Sequence, residues 1–306
     1  MALALLLASA PLWLPLLALV GFFQRGSFPA LRCFLYLTWL MACESLGVLM
    51  AFLLWLRPRG SRELWLQRHY ALQGFWIGAL FFGAQRLLGI RLQILGGDAL
   101  ARGRVILLMR HTSVVDALLP HLVAGRTFGI RLRYVVKREL LINPCLDIVG
   151  NRLPNAFVRR GSPDAGPEIA RVKALAAGLG PGDGVLLFPE GTRFTAERRT
   201  KILAGLKARG ETERLDSASR LKSILPIRFG GVLGLMDADP EADVVFCAHT
   251  GTERLTRLGD LFSGVAQGAL LQVGCWRVSA ASIPRDAAGR RAWLEAEWER
   301  VDAWVR

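Results

Sequence analysis

Two residues of this chain, His111 and Asp116, have the types and the spacing that acid–base chemistry needs. They lie in the stretch ILLMRHTSVVDALLP, residues 106–120, between two apolar runs. A neutral imidazole can take a proton from a hydroxyl near neutral pH. A carboxylate bonded to its other ring nitrogen fixes the tautomer that does so. The pair therefore predicts a general base, provided that the two side chains meet.

The spacing of this pair restricts where the histidine can lie. Side chains five positions apart on an α-helix point about 140° away from each other. We expect a strand to end near Arg110 and a helix to cover residues 113–124, with Asp116 in its first turn and His111 in the preceding turn. The alternative is purely structural, because Ser113 and Asp116 also form a capping-box pattern. Spacing alone leaves both interpretations open.

A second motif, LLFPEGTRF at residues 186–194, places an acid, a glycine and an arginine directly after an apolar strand. Gly191 allows close approach of the backbone, and the planar fork of Arg193 suits a phosphate group. The alternative is a β-turn carrying a Glu190–Arg193 surface pair.

Two weaker motifs also follow apolar runs. NAFVRRG, residues 155–161, ends in Arg159 and Arg160, which form either a second phosphate clamp or a solvated strand end. ILPIRFGG, residues 224–231, reads as a strand interrupted by Pro226, which is typical of an edge strand.

The elements that must position these residues alternate in type along the chain. Predicted strands cover residues 90–95, 104–109, 131–136, 155–158, 184–188, 224–229, 243–247 and 269–276. Predicted helices cover residues 64–88, 113–124, 166–178, 196–209 and 287–305. This alternation indicates an α/β fold with a mostly parallel central sheet flanked by helices. Ligands of such sheets gather at the carboxyl ends of the strands, where His111 would lie.

The first 56 residues have a different composition, with only three charged side chains. Residues 2–23 and 33–56 are apolar segments, each long enough to cross the hydrocarbon layer as a helix. Arginines follow at once, at positions 57, 59, 62 and 68, which indicates a cytosolic location for this side of the anchor. We therefore predict a hydrophobic helical hairpin at residues 1–56 that anchors a catalytic part at residues 57–306.

Charge and cysteine content narrow the choice of partners. The formal net charge is +14, which favours an anionic partner such as a membrane surface or a phosphorylated substrate. We expect no nucleic acid partner, since the basic residues form no block or aromatic-interleaved stripe. The five scattered cysteines contain no CxxC pair, which favours a reducing compartment and predicts neither a disulfide framework nor a metal site.

Taken in order, these motifs resemble the sequence blocks of the glycerolipid (lysophospholipid) acyltransferase family. HTSVVD matches the first block, a histidine and an aspartate separated by four residues. FPEGTR matches the third block in full. Phe157 to Arg160 match the second block and Pro226 matches the fourth loosely, and both of these blocks are weak alone. The tail of the chain is similar to the lysophosphatidic and lysocardiolipin acyltransferase branch.

The resemblance implies a single acyltransferase domain and transfer of an acyl group from a thioester to a lysophospholipid hydroxyl. His111 would act as the base and Asp116 would orient it. Arg160, Glu190, Gly191, Thr192 and Arg193 would form the substrate site, with both arginines on the acceptor phosphate. The donor would be acyl-CoA or acyl-carrier protein, without a further cofactor. We expect the enzyme at an anionic cell (inner) membrane, with its catalytic domain on the cytoplasmic side.

Alternatives remain at this point. The acceptor could be lysophosphatidic acid, another lysophospholipid or an acylated amino-acid lipid. The same His–Asp pair could instead activate water, which would make the protein a thioester hydrolase. A degenerate, non-catalytic fold is a third possibility, although the intact first and third blocks argue against it.

Overall fold

The computed structural model describes residues 9–23, 28–58, 60–101, 103–113, 115–158, 166–255, 260 and 264–306. The chain forms two compact units. The first unit contains Met1–Leu92, Glu139–Pro154 and Arg254–Leu271, and the second contains Gln93–Arg138, Asn155–Glu253 and Gln272–Arg306. The predicted boundary at residue 57 divides the chain by function, into a membrane anchor and a catalytic part. This division stays a prediction.

A seven-stranded, mostly parallel sheet is the centre of the fold, in the order β1-β7-β6-β2-β5-β3-β4. Its strands are β1 (Arg91–Leu95), β2 (Val105–Met109), β3 (Arg131–Lys137), β4 (Ala156–Val158), β5 (Asp183–Leu187), β6 (Asp243–Thr250) and β7 (Leu270–Val278). Strand β2 is parallel to both β5 and β6, and β3 is parallel to β4 and β5. Strand β7 runs antiparallel to β6.

Ten α-helices lie in the part of the chain that the structure describes. They are α1 (Ala10–Phe23), α2 (Pro29–Leu56), α3 (Arg62–Leu88), α4 (Arg126–Phe128), α5 (Pro144–Gly150), α6 (Gly166–Ala174), α7 (Ala196–Ala208), α8 (Thr212–Arg220), α9 (Phe229–Ala238) and α10 (Ala287–Val305). Short 3-10 turns occur at Gly97–Leu100, Val115–Ala117, Arg138–Ile142 and Ala280–Ser282, and a π-turn at His121–Gly125.

The strands that carry the site are buried on both faces. Every residue of β2 and of β5 is buried, as their continuous apolar sequences predicted. One face of the sheet packs against α6, α9 and α10, with Phe246 and Trp298 in the same cluster. Because β2 and β5 are parallel neighbours, their carboxyl ends lie side by side, which brings the loops after Met109 and Leu187 together.

The predicted strand at residues 224–229 is wrong. Its backbone groups bond outside any sheet: the N–H of Leu225 donates to Glu190 Oε2 at 2.8 Å, and the N–H of Arg228 donates to the carbonyl of Pro189, also at 2.8 Å. Pro226 has no N–H with which to continue a ladder. Residues up to Arg228 therefore form an irregular segment, and α9 begins at Phe229.

The predicted helix at residues 113–124 is also wrong as a continuous helix. Val115–Ala117 forms a 3-10 turn, Leu119 and Pro120 are helical, and the π-turn and α4 follow from His121 onward. Pro120 lacks the N–H that an unbroken helix would bond to the carbonyl four residues earlier. The helices α5, α8 and α9 lie in segments where the sequence had predicted none.

In the first unit, α2 and α3 form a helical pair with α5 packed beside them. Helix α2 is long and apolar enough to cross a bilayer, and it is the one such helix among the described residues. Helix α1 has 14 residues and contains Pro15, whereas residues 1–8 of the first predicted segment lie outside the described residues. The amphipathic helix predicted for residues 64–88 corresponds to α3.

Candidate active site

His111 lies in the turn after β2, as the spacing argument predicted. Strand β2 ends at Met109, and the 3-10 turn that contains Asp116 begins at Val115. His111 Nδ1 lies 3.2 Å from Asp116 Oδ2. The His111 side chain retains 14% of its exposure, whereas the Asp116 side chain is fully buried. The histidine can thus reach a ligand while its partner cannot.

The Asp116 carboxylate also fulfils the capping role that competed with catalysis. Its Oδ2 accepts the backbone N–H groups of Thr112 and Ser113, each at 2.6 Å. Burial acts to raise the pKa of Asp116, but His249, His111 and the N–H of Ser113 together hold it below its ordinary value. Because the ionised carboxylate only accepts hydrogen bonds, His111 Nδ1 carries the proton and Nε2 is left with a lone pair.

Two residues that the sequence analysis missed complete the surroundings of Asp116. The hydroxyl of Thr252 donates to Asp116 Oδ1 at 3.1 Å and lies 3.3 Å from His249 Nδ1. His249 Nε2 lies 2.9 Å from the carbonyl of Arg110, so this nitrogen must carry the proton. Thr252 and His249 are both fully buried. Thr252 thus holds Oδ1, the carboxylate oxygen that His111 does not contact.

The surroundings of His249 favour its neutral form. Burial lowers its pKa, and the nearby Arg110 guanidinium lowers it further, whereas Asp116 acts to raise it. The Arg110 side chain is itself buried and donates to the carbonyls of His249 (2.6 Å) and Ser223 (3.1 Å) and to Glu253 (2.7 Å). This arginine therefore ties the loop after β6 to the loop around residue 223.

Glu190 of the FPEGTR motif fixes the backbone of His111. Its Oε1 accepts the N–H of His111 at 2.6 Å, and its Oε2 accepts the N–H of Leu225 at 2.8 Å. The N–H of Phe194 donates to the carbonyl of His111 at 2.7 Å. Burial raises the pKa of Glu190 to about 8, although the two backbone donors and Arg110 act to lower it. The motif thus holds both backbone groups of His111.

The turn that carries Glu190 is compact. The ring of Phe188 stacks on the imidazole of His111, with centroids 4.4 Å apart. Gly191 has a φ of +69°, and a Cβ there would lie 2.7 Å from Arg228 Cδ. The left-handed conformation favours glycine at this position, and a Cβ would also force the Arg228 side chain to shift.

The remaining predicted site residues are Thr192, Arg193 and Arg160. Thr192 lines a cavity beside the motif. Arg193 is half-buried, and its carbonyl accepts a hydrogen bond from Arg198 Nη1 at 3.0 Å. Arg160 and its neighbour Arg159 lie outside the described residues. The structure therefore brings His111, Asp116, Glu190 and Gly191 together, and the phosphate roles of Arg160 and Arg193 stay predictions.

The signal for His249 and Thr252 was present in the sequence. Both lie at or just after the carboxyl end of β6, which is a parallel neighbour of β2 in register with it. Polar residues in HTGTE, residues 249–253, follow an apolar strand in the same way as His111 does. Knowledge of the strand order would have assigned them to the same edge of the sheet.

Among the described residues, no group of three or more His, Cys, Asp and Glu side chains is arranged to hold a metal ion. The chemistry this arrangement can perform is proton transfer at His111 Nε2, with Asp116 stabilising the imidazolium that forms.

Comparisons with known proteins agree with this architecture. Among solved structures, that of the 1-acyl-sn-glycerophosphate (LPA) acyltransferase PlsC from Thermotoga maritima shares the fold. Its TM-score is 0.52, with 15% sequence identity, over 92% of this chain and 96% of that chain. No curated protein gives a significant match. A family model described as Acyltransferase matches residues 91–215, which include the His111–Asp116 turn and the FPEGTR motif. The matched segment is thus similar to the acyltransferase family, and the fold of the chain is similar to that of the PlsC structure.

Proposed function

We propose that the protein transfers a fatty acyl group from an acyl-thioester to the free hydroxyl of a lysophospholipid, with lysophosphatidic acid as the acceptor and phosphatidic acid as the product. The observation that carries this proposal is the orientation of His111. Its Nδ1 is held by the buried Asp116 and its backbone by Glu190, so Nε2 is the nitrogen left for a substrate.

In the proposed reaction, His111 Nε2 takes the proton of the acceptor hydroxyl while the oxygen attacks the thioester carbonyl. The carbon–sulfur bond then breaks, and the leaving thiolate takes the proton from the imidazolium. Asp116 stabilises that cation during the reaction. The sequence offers no GxSxG nucleophile, and direct transfer requires none.

An anionic membrane is the setting that we propose for this reaction. Exposed apolar side chains on α2 are consistent with lipid contact. They include Trp39, Leu46, Leu49, Phe52, Leu53 and Trp55. Basic residues follow the helix directly, and a net charge of +14 would favour an anionic leaflet. We propose the cytoplasmic side of the inner membrane for the catalytic part.

The acceptor is best identified with a panel of lyso-lipids. Purified protein in detergent would be supplied with acyl-CoA or acyl-carrier-protein donors and with lysophosphatidic acid, other lysophospholipids or an acylated amino-acid lipid. We expect the highest kcat/KM with lysophosphatidic acid. A higher value with another lipid would reassign the acceptor. Release of free fatty acid that is undiminished without acceptor would show a hydrolase instead.

The base is tested by His111→Ala. We expect loss of transfer, with the melting temperature and membrane attachment retained, since the side chain lies in a turn and is partly exposed. His121→Gln is the matched control, because His121 lies in the same unit but outside the site. Near-normal turnover in His111→Ala would eliminate the proposed mechanism.

The phosphate role of Arg193 is tested by Arg193→Ala. If Arg193 binds the acceptor phosphate, the acceptor KM should rise about tenfold or more while the donor KM changes little, because a charge-assisted contact is lost on one substrate. An unchanged acceptor KM would remove Arg193 from the phosphate site.

A further inference from the structure

A cavity of about 440 Å³ opens beside the Glu190–Thr192 turn, entirely within the second unit. Its walls come from α7, α8, α10 and the segment that precedes α9. We call it the cationic cavity. Five basic side chains line it: Arg198, Lys201, Arg209, Arg214 and Arg228. Its volume lies within the range of small-molecule sites, roughly 300–1,000 Å³.

Three of these cations have no acidic partner among the described residues. Arg198 donates through Nη1 to the carbonyl of Arg193, and no hydrogen bond or ion pair of the Lys201 ammonium or the Arg228 guanidinium is present in the described part of the chain. By contrast, Arg209 and Arg214 share the Glu211 carboxylate at 2.5 Å each.

Three acidic residues also line the cavity, and each already has a hydrogen-bond or ion-pair partner. Glu299 pairs with Arg220 at 2.6 Å, and Glu295 accepts the hydroxyl of Ser217 at 3.3 Å. Glu190 directs its oxygens to the two backbone N–H groups of His111 and Leu225. The cavity therefore has an excess of positive charge that the protein itself does not neutralise.

The floor of the cavity is apolar. Leu206, Leu221, Ile227 and Trp298 line it and are each at most 5% exposed. Trp298 is fixed by the hydrogen bond that its Nε1 donates to the carbonyl of Leu225 at 2.8 Å. A cationic rim above a rigid apolar floor suits a ligand that carries phosphate groups and a less polar portion.

We propose that the cationic cavity binds the phosphate groups of the acyl donor, and that this donor is a coenzyme A thioester. The inference rests on the proposed function. Coenzyme A carries several phosphate groups, including a diphosphate, which match a set of separate cations better than a single phosphate would. Glu190 lies in the wall of the cavity and bonds the backbone of His111, so the cavity adjoins the catalytic turn.

The test measures equilibrium binding to the full chain in detergent by calorimetry, with free coenzyme A, glycerol 3-phosphate and inorganic phosphate as probes. Lys201→Gln removes one of the unneutralised cations. Lys207→Gln is the matched control, because Lys207 is exposed on the same helix and does not line the cavity. We expect coenzyme A to bind about tenfold more weakly to Lys201→Gln, and its affinity for Lys207→Gln to change little.

Several outcomes would overturn this inference. In the first, coenzyme A binding is weakened equally in Lys201→Gln and Lys207→Gln. In the second, glycerol 3-phosphate binds and is weakened by Lys201→Gln, whereas coenzyme A does not bind. In the third, none of the probes binds. Acyl transfer by the wild type is measured in parallel. If transfer occurs while Lys201→Gln leaves coenzyme A binding unchanged, the cavity assignment fails and the proposed function stands. If coenzyme A binds through Lys201 without any transfer, the proposed function fails instead.

Discussion

Replacing Glu190 with alanine should cost both stability and activity, because its carboxylate is the acceptor for two loops at once. The substitution leaves the backbone N–H groups of His111 and Leu225 without their acceptor. A buried donor left unsatisfied costs about 1–3 kcal/mol, so the two together cost about 2–6 kcal/mol. That is a large fraction of the stability of an ordinary domain.

Glu190→Gln separates the contributions of the two bonds. The amide oxygen can accept one N–H, whereas the amide nitrogen faces the other, so the expected cost falls to about 1–3 kcal/mol. Unfolding would be followed by urea denaturation in detergent, and kcat would be measured under the same conditions. Glu213→Ala, which removes an exposed glutamate, is the control and should change the free energy of unfolding by at most about 0.5 kcal/mol.

Both the free energy of unfolding and kcat should therefore be highest in the wild type, lower in Glu190→Gln and lowest in Glu190→Ala. The activity falls because the backbone of His111 loses the contact that positions it. The reasoning would be refuted if Glu190→Ala unfolded at the same urea concentration as the wild type and retained its kcat.

Three further predictions concern the same site. Thr252→Val should lower the free energy of unfolding by about 1–3 kcal/mol and reduce kcat, because Asp116 Oδ1 loses its hydroxyl donor. Thr252→Ser keeps that hydroxyl and should retain most of the stability and most of the kcat, as measured in melting and turnover assays. Gly191→Ala should lower both stability and activity. Its control is Gly210→Ala, because Gly210 also has a positive φ (+67°) but has open space around its Cβ position. That control should lower the free energy of unfolding by only about 1–2 kcal/mol. Burial raises the pKa of Glu190 from 4.5 to about 8, so the folded state retains a proton that the unfolded chain releases. Stability should therefore fall as pH rises between the two pKa values, and the advantage of the wild type over Glu190→Gln should narrow between about pH 4.5 and about pH 8. A widening advantage would contradict the direction of the shift.

The sheet was predictable from sequence because its strands are short, apolar and separated by clear turns. Strands β2 and β5 are buried on both faces, and such strands read as continuous apolar runs. Residues 224–229 are also mainly apolar, apart from Pro226 and Arg228, and are equally buried at Ile224 and Leu225, yet they form no strand. The apolar composition of this segment predicts that it is buried but does not predict its backbone conformation. That conformation is fixed by hydrogen bonds to Glu190 and Pro189, which lie more than 30 positions earlier in the sequence.

The site was predictable only in part for the same reason. His111 and Asp116 are close in sequence, and helical geometry alone required the histidine to leave the helix. Thr252 lies 136 positions beyond Asp116, and only the parallel pairing of β2 with β6 brings them together. A strand order cannot be read from local patterns, so His249 and Thr252 could not be assigned to the site from sequence.

The hydrogen bond from the His111 N–H to Glu190 explains why the first and third motifs work as a pair. Taken separately, HTSVVD could be a helix cap and FPEGTR a surface turn. In the structure the cap supplies the carboxylate that orients the imidazole, and the turn supplies the acceptor that holds the backbone carrying it. Glu190 is buried and bonded to two backbone N–H groups, so it acts on the proposed base through the backbone of His111. Gly191 allows this arrangement, since a larger residue would displace Arg228 from the turn. The rigidity of the proposed base therefore depends on residues at the ends of three neighbouring strands, and a substitution at any of these ends should alter turnover through the position of one imidazole.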